Sequence, residues 1–347
     1  MSKAFTARAP GRVNLIGEHT DYNGGWVLPA ALSVGIEVSL TPRADSAVTV
    51  SSLNYAAPAM RELTEDAVGD WSDPCVGAIC EANSLGLLEG GASLDVSSTI
   101  PEGSGLSSSA ALIVAILKAA RQAAGSDLSD VDLAIAARRV ENEYMGVPCG
   151  IMDQMAVALA SPGSAMALDT KSLDWEILPL PAGHEMVVVH SGLTRKLTEG
   201  RYGERKAECD AAKRHFGTED LCLLDPGEIE AAGLDDVPKR RALHCATEHQ
   251  RTLAAAKALR DGDVAALGRL MNESHASMRD LFEMSLPEID DLVATSVGLG
   301  ALGARLTGGG FGGCIVACVP ANERGVWLAE LLKRHPQARF IDAARPS

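Results

Sequence analysis

The sequence predicts an α+β protein of two domains, and three observations carry that expectation. At 347 residues the chain is longer than one hydrophobic core usually organises. Helix-like and strand-like segments follow one another irregularly, without the regular strand–helix repeat of a doubly wound parallel sheet. The texture changes near residue 165, which places the domains at 1–165 and 166–347.

Each element follows from local pattern. SLDVSSTI (93–100) alternates Leu94, Val96 and Ile100 with polar positions, as a half-buried strand does. After a Gly/Ser turn, ALIVAILKAARQAAG reads as a buried helix closed by Gly125. Ser129 with Asp132 forms a capping-box pattern for the next helix, which runs toward Tyr144 and stops before Pro148. GIMDQMAVALA is again helical. SAMALDTKSLDWEILPLP reads as two strands around a turn and EMVVVH as a third; 203–300 reads as several helices. RLTGGGFGG then leads to the strand CIVACV, an amphipathic helix in NERGVWLAELLKRH and a last strand, ARFIDA. No fixed-period repeat or low-complexity tract is present.

Composition narrows the possible partners. With 46% hydrophobic and 22% charged residues the chain resembles an ordinary globular protein, and no apolar run is long enough to span a bilayer. The first residues, MSKAFTARAPG, lack the apolar stretch of a secretory signal, so a cytoplasmic location is expected. Eight cysteines without a CxxC pair or zinc spacing fit reduced, mostly buried thiols. A net charge of −15, from 46 acids against 31 bases, repels nucleic acid and anionic lipid. A phosphorylated ligand must then be held by a local device.

PEGSGLSSSAAL (101–112) is a candidate for that device. Gly103 and Gly105 let the backbone turn toward an anion, and a helix start offers unpaired N–H groups with the positive end of its dipole. An ordinary glycine turn with a serine N-cap explains one serine, but not three in a row beside two glycines. The loop is neither GxxxxGK[ST] nor a complete GxGxxG, because its nearest following lysine is Lys118 and Ser108 stands where the third glycine would be. Of the nearby acids, Asp153 at a helix start and Glu143 on a helix face each read alone as structural. Together with Glu141 they offer what phosphoryl transfer needs: an oxygen ligand for Mg²⁺ and an acceptor for a hydroxyl proton. TGGGFGG (307–313) fits a tight bend or a close approach to ligand. Tyr202 alone reads as an amphipathic-helix residue.

PGRVNLIGEHTDYNGG (10–25) crowds Arg12, Asn14, Glu18, His19, Asp21 and Asn23 into one short stretch. With PEGSGLSSSAAL, GVPCGIMDQ and LTGGGFGGC it resembles the galactokinase family, within the superfamily of galactokinase, homoserine, mevalonate and phosphomevalonate kinases. The matching stretches run in the family's order from residue 10 to 314. The resemblance implies a GHMP-type sugar kinase: an N-terminal domain like the second domain of ribosomal protein S5, a ferredoxin-like C-terminal domain, and a site in the cleft between them. It implies that Glu18, His19, Thr20 and Asp21 hold sugar hydroxyls, with Gly150 and Tyr202 lining the sugar. Carboxylates and an imidazole suit hydroxyls that both donate and accept. A metal site on His19 and Asp21 has too few ligands, whereas a turn around Asn23-Gly24 is compatible with sugar binding.

The resemblance further implies that Gly103, Ser104, Gly105, Leu106, Ser107, Ser108 and Ser109 cradle ATP phosphates, and that Ser109 and Glu141 ligate Mg²⁺. Asp153 is implied to take the proton of the anomeric hydroxyl, with Arg12 neutralising developing charge. The implied reaction is ATP plus D-galactose giving α-D-galactose 1-phosphate and ADP, carried out by a monomer that binds neither nucleic acid nor membrane. HSGLTRKLTEGRY, leading to Tyr202, matches the family pattern loosely. A related kinase acting on N-acetylgalactosamine or L-arabinose, or a non-catalytic sugar sensor on the same fold, are the rival readings. Ser109 and Ala110, both present here, favour an enzyme over the sensor.

Overall fold

A computed structural model describes residues 3–55, 57–193 and 200–346. The first elements are β1 (Phe5–Asn14), β2 (Trp26–Val27), β3 (Pro29–Pro42), β4 (Ala47–Ser52), β5 (Ala59–Glu62), α1 (Asp73–Ser84) and β6 (Ala92–Ser98). Four helical segments follow: α2 (Ser108–Ala124), α3 (Asp130–Arg139), a π-turn (Val140–Tyr144) and α4 (Met152–Leu159). Next come β7 (Ser164–Asp169), β8 (Trp175–Pro179), β9 (His184–His190), α5 (Arg201–Phe216), α6 (Pro226–Ala231), α7 (Asp236–Asp261), α8 (Val264–Asp280) and α9 (Pro287–Gly298). The chain closes with β10 (Gly303–Thr307), β11 (Cys314–Pro320), α10 (Arg324–Arg334) and β12 (Arg339–Ala344).

These elements form two compact units, neither of which is one continuous stretch. The first holds the residues through Arg12 with Ser33–Glu102 and Leu106–Leu159; the second holds Val13–Leu32, Gly103–Gly105 and the chain from Ala160 onward.

In the first unit β6 alternates as its sequence predicts, burying Ala92, Leu94 and Val96. It pairs antiparallel with β3 through Leu40↔Leu94 and Val38↔Val96, and parallel with β4 through Val50↔Leu94. α2 buries its aliphatic positions on nearly every side, as a helix hydrophobic all round must, and packs against α1, α3 and α4. It ends at Gly125, φ 63°, a left-handed cap that suits glycine. The Ser129–Asp132 capping box forms in full at the start of α3. The helix expected to run to Tyr144 instead changes pitch after Arg139, with Met145 N donating to Val140 O at 3.0 Å. The wider turn buries Glu141 and leaves Glu143 exposed.

The second unit contains a four-stranded antiparallel sheet in the order β10-β11-β9-β12. Val187, Val189, Ile315, Ala317 and Leu306 from its strands meet Phe282, Met278 and Cys245 in one core. The two strands read around a turn are the antiparallel pair β7 and β8, joined through Leu168↔Trp175. All eight cysteines are free thiols, six of them buried. Among the described residues no helix is long and apolar enough to cross a membrane.

Candidate active site

In the first unit Arg12, late in β1, and Asp153, in the first turn of α4, form a two-pronged ion pair. Arg12 Nε donates to Asp153 Oδ1 and Nη2 to Oδ2, both at 2.8 Å. A guanidinium fork on a carboxylate fixes the angle of the acid as well as its distance. Arg12 is buried, while Asp153 keeps 29% of its side chain exposed, so the acid is held and still reachable. Arg12 N also donates to Leu106 O at 3.3 Å, and Ser107 Oγ donates to Asp153 Oδ2 at 2.7 Å. Two separate stretches of sequence thus converge on a carboxylate carried by a third.

The glycine-serine loop has the backbone its sequence asks for. Gly103 and Gly105 take φ of 67° and 73°, where a Cβ is strained. Ser107 precedes α2 but is itself left-handed, and no side chain caps the helix. A seventeen-residue helix therefore presents its first turn and positive dipole end without a side-chain cap, the arrangement that receives an anion.

Glu141 and Ser109 lie together. Burial pushes the Glu141 carboxyl up, with Asp153 adding to the rise, while Ser109, Gln154 and Cys149 pull against it. Gln154 Nε2 donates to Glu141 Oε2. The Ser109 hydroxyl is near enough to act on Glu141, yet it is buried without a well-formed hydrogen bond. A stranded hydroxyl beside a carboxylate whose neighbour is another carboxylate is a donor set that suits a hard cation. Among the described residues no three His, Cys, Asp or Glu side chains could hold a metal by themselves. Ser109 and Glu141 could therefore supply one hydroxyl and one carboxylate to a hard cation such as Mg²⁺.

A cavity of about 210 Å³ in the same unit is lined by Ile36, Tyr55, Trp71 and Val96, and by Ser108 and Ser109 from the first turn of α2. The Tyr55 and Trp71 rings stack at 4.3 Å and 10°. Trp71 sits in a braced segment: the Asp73 carboxylate accepts N–H groups from Val68, Gly69 and Asp70, and a guanidinium nitrogen of Arg61 at 3.2 Å. Only the serines of PEGSGLSSSAAL pointed toward this cavity; its aromatic wall carries no motif.

In the second unit Glu18, His19, Thr20 and Asp21 occupy the connection from β1 to β2. Part of its polar crowding is scaffold. Asn23 Nδ2 donates to His19 O at 2.8 Å, Asn14 Oδ1 accepts from Leu28 N at 3.3 Å, and Thr20 Oγ1 lies 2.9 and 2.8 Å from the carbonyls of Gly17 and Trp26. Glu18 Oε1 accepts from Gly308 N at 2.9 Å and from Arg305 Nη1 at 3.4 Å; Gly308 belongs to the glycine cluster read as either a bend or a ligand approach. His19 stacks on Phe282 at 4.4 Å, with Tyr202 at 5.3 Å. Burial, helped by His244 and two arginines, lowers its pKa to about 3, so the imidazole is neutral. Its Nδ1 meets Tyr22 Oη at 2.8 Å, while Nε2 is buried without a partner. Such an orphan costs stability unless a ligand meets it.

Behind this loop lies a charge network. Arg305 is fully buried, 3.8 Å from Glu248. Burial works to raise the Glu248 pKa, but Arg251, Arg305, His244 and Ser274 overcome it and lower it to about 2. Glu248 accepts from Gly17 N at 3.0 Å and Ser274 Oγ at 2.5 Å on one oxygen, and from Arg251 Nε at 2.8 Å on the other. His244 Nε2 meets Glu18 O at 3.1 Å, and burial lowers its pKa to about 4.

The structure thus gathers Arg12, Ser107 and Asp153 in one unit, with Ser109 beside Glu141, and Glu18, His19 and Tyr202 in the other. Asp21 is half-buried, and Gly150 is buried in the connection three residues before Asp153. Of the stretch leading to Tyr202, residues 194–199 lie outside the described residues. Sequence reasoning missed Phe282, His244, Glu248, Tyr55 and Trp71, which carry no local motif. Arg305 stands two residues before the TGGGFGG cluster and could have been noticed there.

Three family models match the chain: the galactokinase galactose-binding signature over residues 1–42, the GHMP kinases N terminal domain over 74–161 and the GHMP kinases C terminal over 255–329. Among solved structures, the galactokinase of Lactococcus lactis, complexed with galactose, is 32% identical, with a TM-score of 0.94 over 99% of this chain and 94% of that one. The Methanococcus jannaschii mevalonate kinase shares the fold at 18% identity and a TM-score of 0.71, over 100% and 99% of the two chains. A D-glycero-D-manno-heptose 1-phosphate kinase from Bacteriodes thetaiotaomicron does so at 17% and 0.65, over 98% and 97%. The α+β architecture is that of the GHMP kinases, and the chain belongs to their galactokinase family.

Proposed function

We propose that the protein transfers the γ-phosphoryl group of ATP to the anomeric hydroxyl of D-galactose, giving α-D-galactose 1-phosphate and ADP, and that it does so as a cytoplasmic monomer. The observation that carries this reading is Asp153, an acid locked in orientation by Arg12 yet partly exposed. A carboxylate is a far weaker base than an alkoxide, so its part is to orient the hydroxyl and take its proton late. The sugar O1–P bond forms as the bond from γ-phosphorus to its bridging oxygen breaks; the released electron pair leaves on ADP, and the O1 proton passes to Asp153. Arg12 offsets charge on the transferring group.

Residues 103–109 receive the phosphates, and the cavity beside Tyr55 and Trp71 takes the purine, whose face suits an aromatic platform. Ser109 and Glu141 would hold Mg²⁺, which when bound neutralises phosphate charge. For the sugar, Glu18, the unpartnered His19 Nε2 and Asp21 supply hydroxyl partners, with Thr20 shaping the loop and the Tyr202 ring beside His19; Gly150, in the other unit, is a further sugar-binding candidate.

The test is ADP release across a panel of sugars with NMR of the product. D-galactose should be the best substrate, with phosphate on C1. A better rate with N-acetylgalactosamine or L-arabinose would reassign the substrate, and no turnover with any sugar would favour the sensor. Asp153→Asn should lower kcat about 10³-fold while calorimetry still registers galactose binding; retained turnover would remove Asp153 from the base role.

A further inference from the structure

Ser107 has two properties that an ordinary loop serine lacks. Its backbone is left-handed, at φ 62° and ψ 44°, a region strained for any residue with a Cβ and open to glycine at no steric cost. Its position before α2 invites the hydroxyl to cap the helix, yet no side-chain cap forms there. The hydroxyl donates instead to Asp153 Oδ2 at 2.7 Å, a length typical of an O–H donor on a charged acceptor. Backbone strain kept at a residue whose side chain meets a functional acid is a pointer to use.

We infer that Ser107 is a positioning residue for Asp153, holding the carboxylate from the start of α2 while Arg12 holds it from β1. This goes beyond the phosphate-cradling role given to residues 103–109 and rests on Asp153 being the proton acceptor. The two holds are complementary. Arg12 fixes the plane of the carboxylate through its fork, and Ser107 pins one oxygen from a different element, so neither contact substitutes for the other. It also ties the acid to the loop that receives phosphate: a shift of Leu106 or Ser107 moves Arg12 through its N–H bond to Leu106 O and moves Asp153 through the serine.

The experiment is a substitution series at residue 107 in the full chain, read in kcat, KM for both substrates and melting temperature. Ser107→Gly relieves the backbone and removes the hydroxyl; Ser107→Ala removes only the hydroxyl; Ser107→Thr restores a hydroxyl on a more strained backbone. Both Ser107→Gly and Ser107→Ala should lose about 10- to 100-fold in kcat, the penalty of a slightly misplaced reacting group, with KM for ATP within twofold. Ser107→Gly should melt no lower than the parent, and Ser107→Thr should recover most of kcat while melting lower. A raised KM for ATP at unchanged kcat would make the hydroxyl a phosphate donor and overturn the inference. So would parental kcat in Ser107→Gly, or activity that follows melting temperature instead of the hydroxyl. Asp153→Asn is measured in parallel: turnover retained there sinks the base assignment, whereas its loss with parental kcat in Ser107→Gly sinks only the role of Ser107.

Discussion

Each unit contains an arginine paired with a carboxylate, and the two pairs are built on opposite plans. Arg12 and Asp153 meet fork to fork at 2.8 Å with the acid 29% exposed. Arg305 sits fully buried at 3.4 Å from Glu18 and 3.8 Å from Glu248, both carboxylates buried with it. Short geometry with a wet edge suits an acid that must exchange a proton with substrate. Longer geometry in a dry setting suits a balanced scaffold, in which Arg251 and Gly308 complete what Arg305 begins. Burial, more than distance, therefore decides which pair is expected to work and which to hold.

Removing each arginine should separate the plans most widely. Arg305→Met leaves the buried Glu18 with no cation and Glu248 with Arg251 alone, so urea unfolding should show a loss of about 3 kcal/mol. Arg12→Met leaves Asp153 able to reach water, so the stability loss should stay near 1 kcal/mol, as for a partly solvated pair, while turnover falls at least a hundredfold. If Arg12→Met unfolds the protein and Arg305→Met leaves it stable, the contrast between the pairs is wrong.

Acid should find the buried network first. In the folded protein the His19 pKa is lowered to about 3 and that of His244 to about 4, so neither binds a proton until well below the value of 6.5 that each has when unfolded. As pH falls below 6.5 the unfolded chain takes up protons that the folded chain refuses, and each histidine costs about 1.4 kcal/mol per pH unit. Burial lowers the His275 pKa to about 4 as well, so from pH 7 to 5.5 the unfolding free energy should drop by about 4 kcal/mol for the three histidines together, and His244→Gln should remove about a third of that drop. Glu248 adds a later loss as pH falls from 4.5 toward its folded value of about 2. A flat profile between pH 7 and 5.5 would mean that the histidines are not held neutral by burial.

How much of this could be read beforehand follows the range of the interactions. α2, the Ser129 cap, the β7–β8 pair and the strands β9, β11 and β12 rest on local periodicity and turn chemistry, and they stand where those predict. The polar loop at 14–25 was visible as a cluster, but not the division of its side chains between scaffold and site, because Asn14 and Asn23 find their partners only in the folded backbone. Three features hid for different reasons. The pitch change at Val140 that buries Glu141 has no helix-breaking residue to announce it. Ser107 looks like an N-cap by composition and becomes something else only because Asp153, from another helix, competes for its hydroxyl. Arg305 and Glu248 lie on separate elements, and nothing short of the fold says that they neutralise one another.

The smallest effect concerns two aromatic stacks that differ as the ion pairs do. His19 on Phe282, at 4.4 Å and 27°, lies in the core, with Phe282 buried, so truncating that ring creates a cavity costing about 3–5 kcal/mol. Tyr55 on Trp71, at 4.3 Å and 10°, borders an open cavity, and the segment carrying Trp71 is already held by Asp73 and Arg61 through hydrogen bonds that do not use the ring. Trp71→Ala should therefore cost little stability. Loss of a base-stacking platform is worth about 1–3 kcal/mol, so KM for ATP should rise about tenfold with KM for galactose and kcat nearly unchanged, and Trp71→Phe should recover much of the loss. An unaltered KM for ATP would remove the purine from this cavity; a large fall in melting temperature would make the exposed stack a second structural one, and the distinction between the two would collapse.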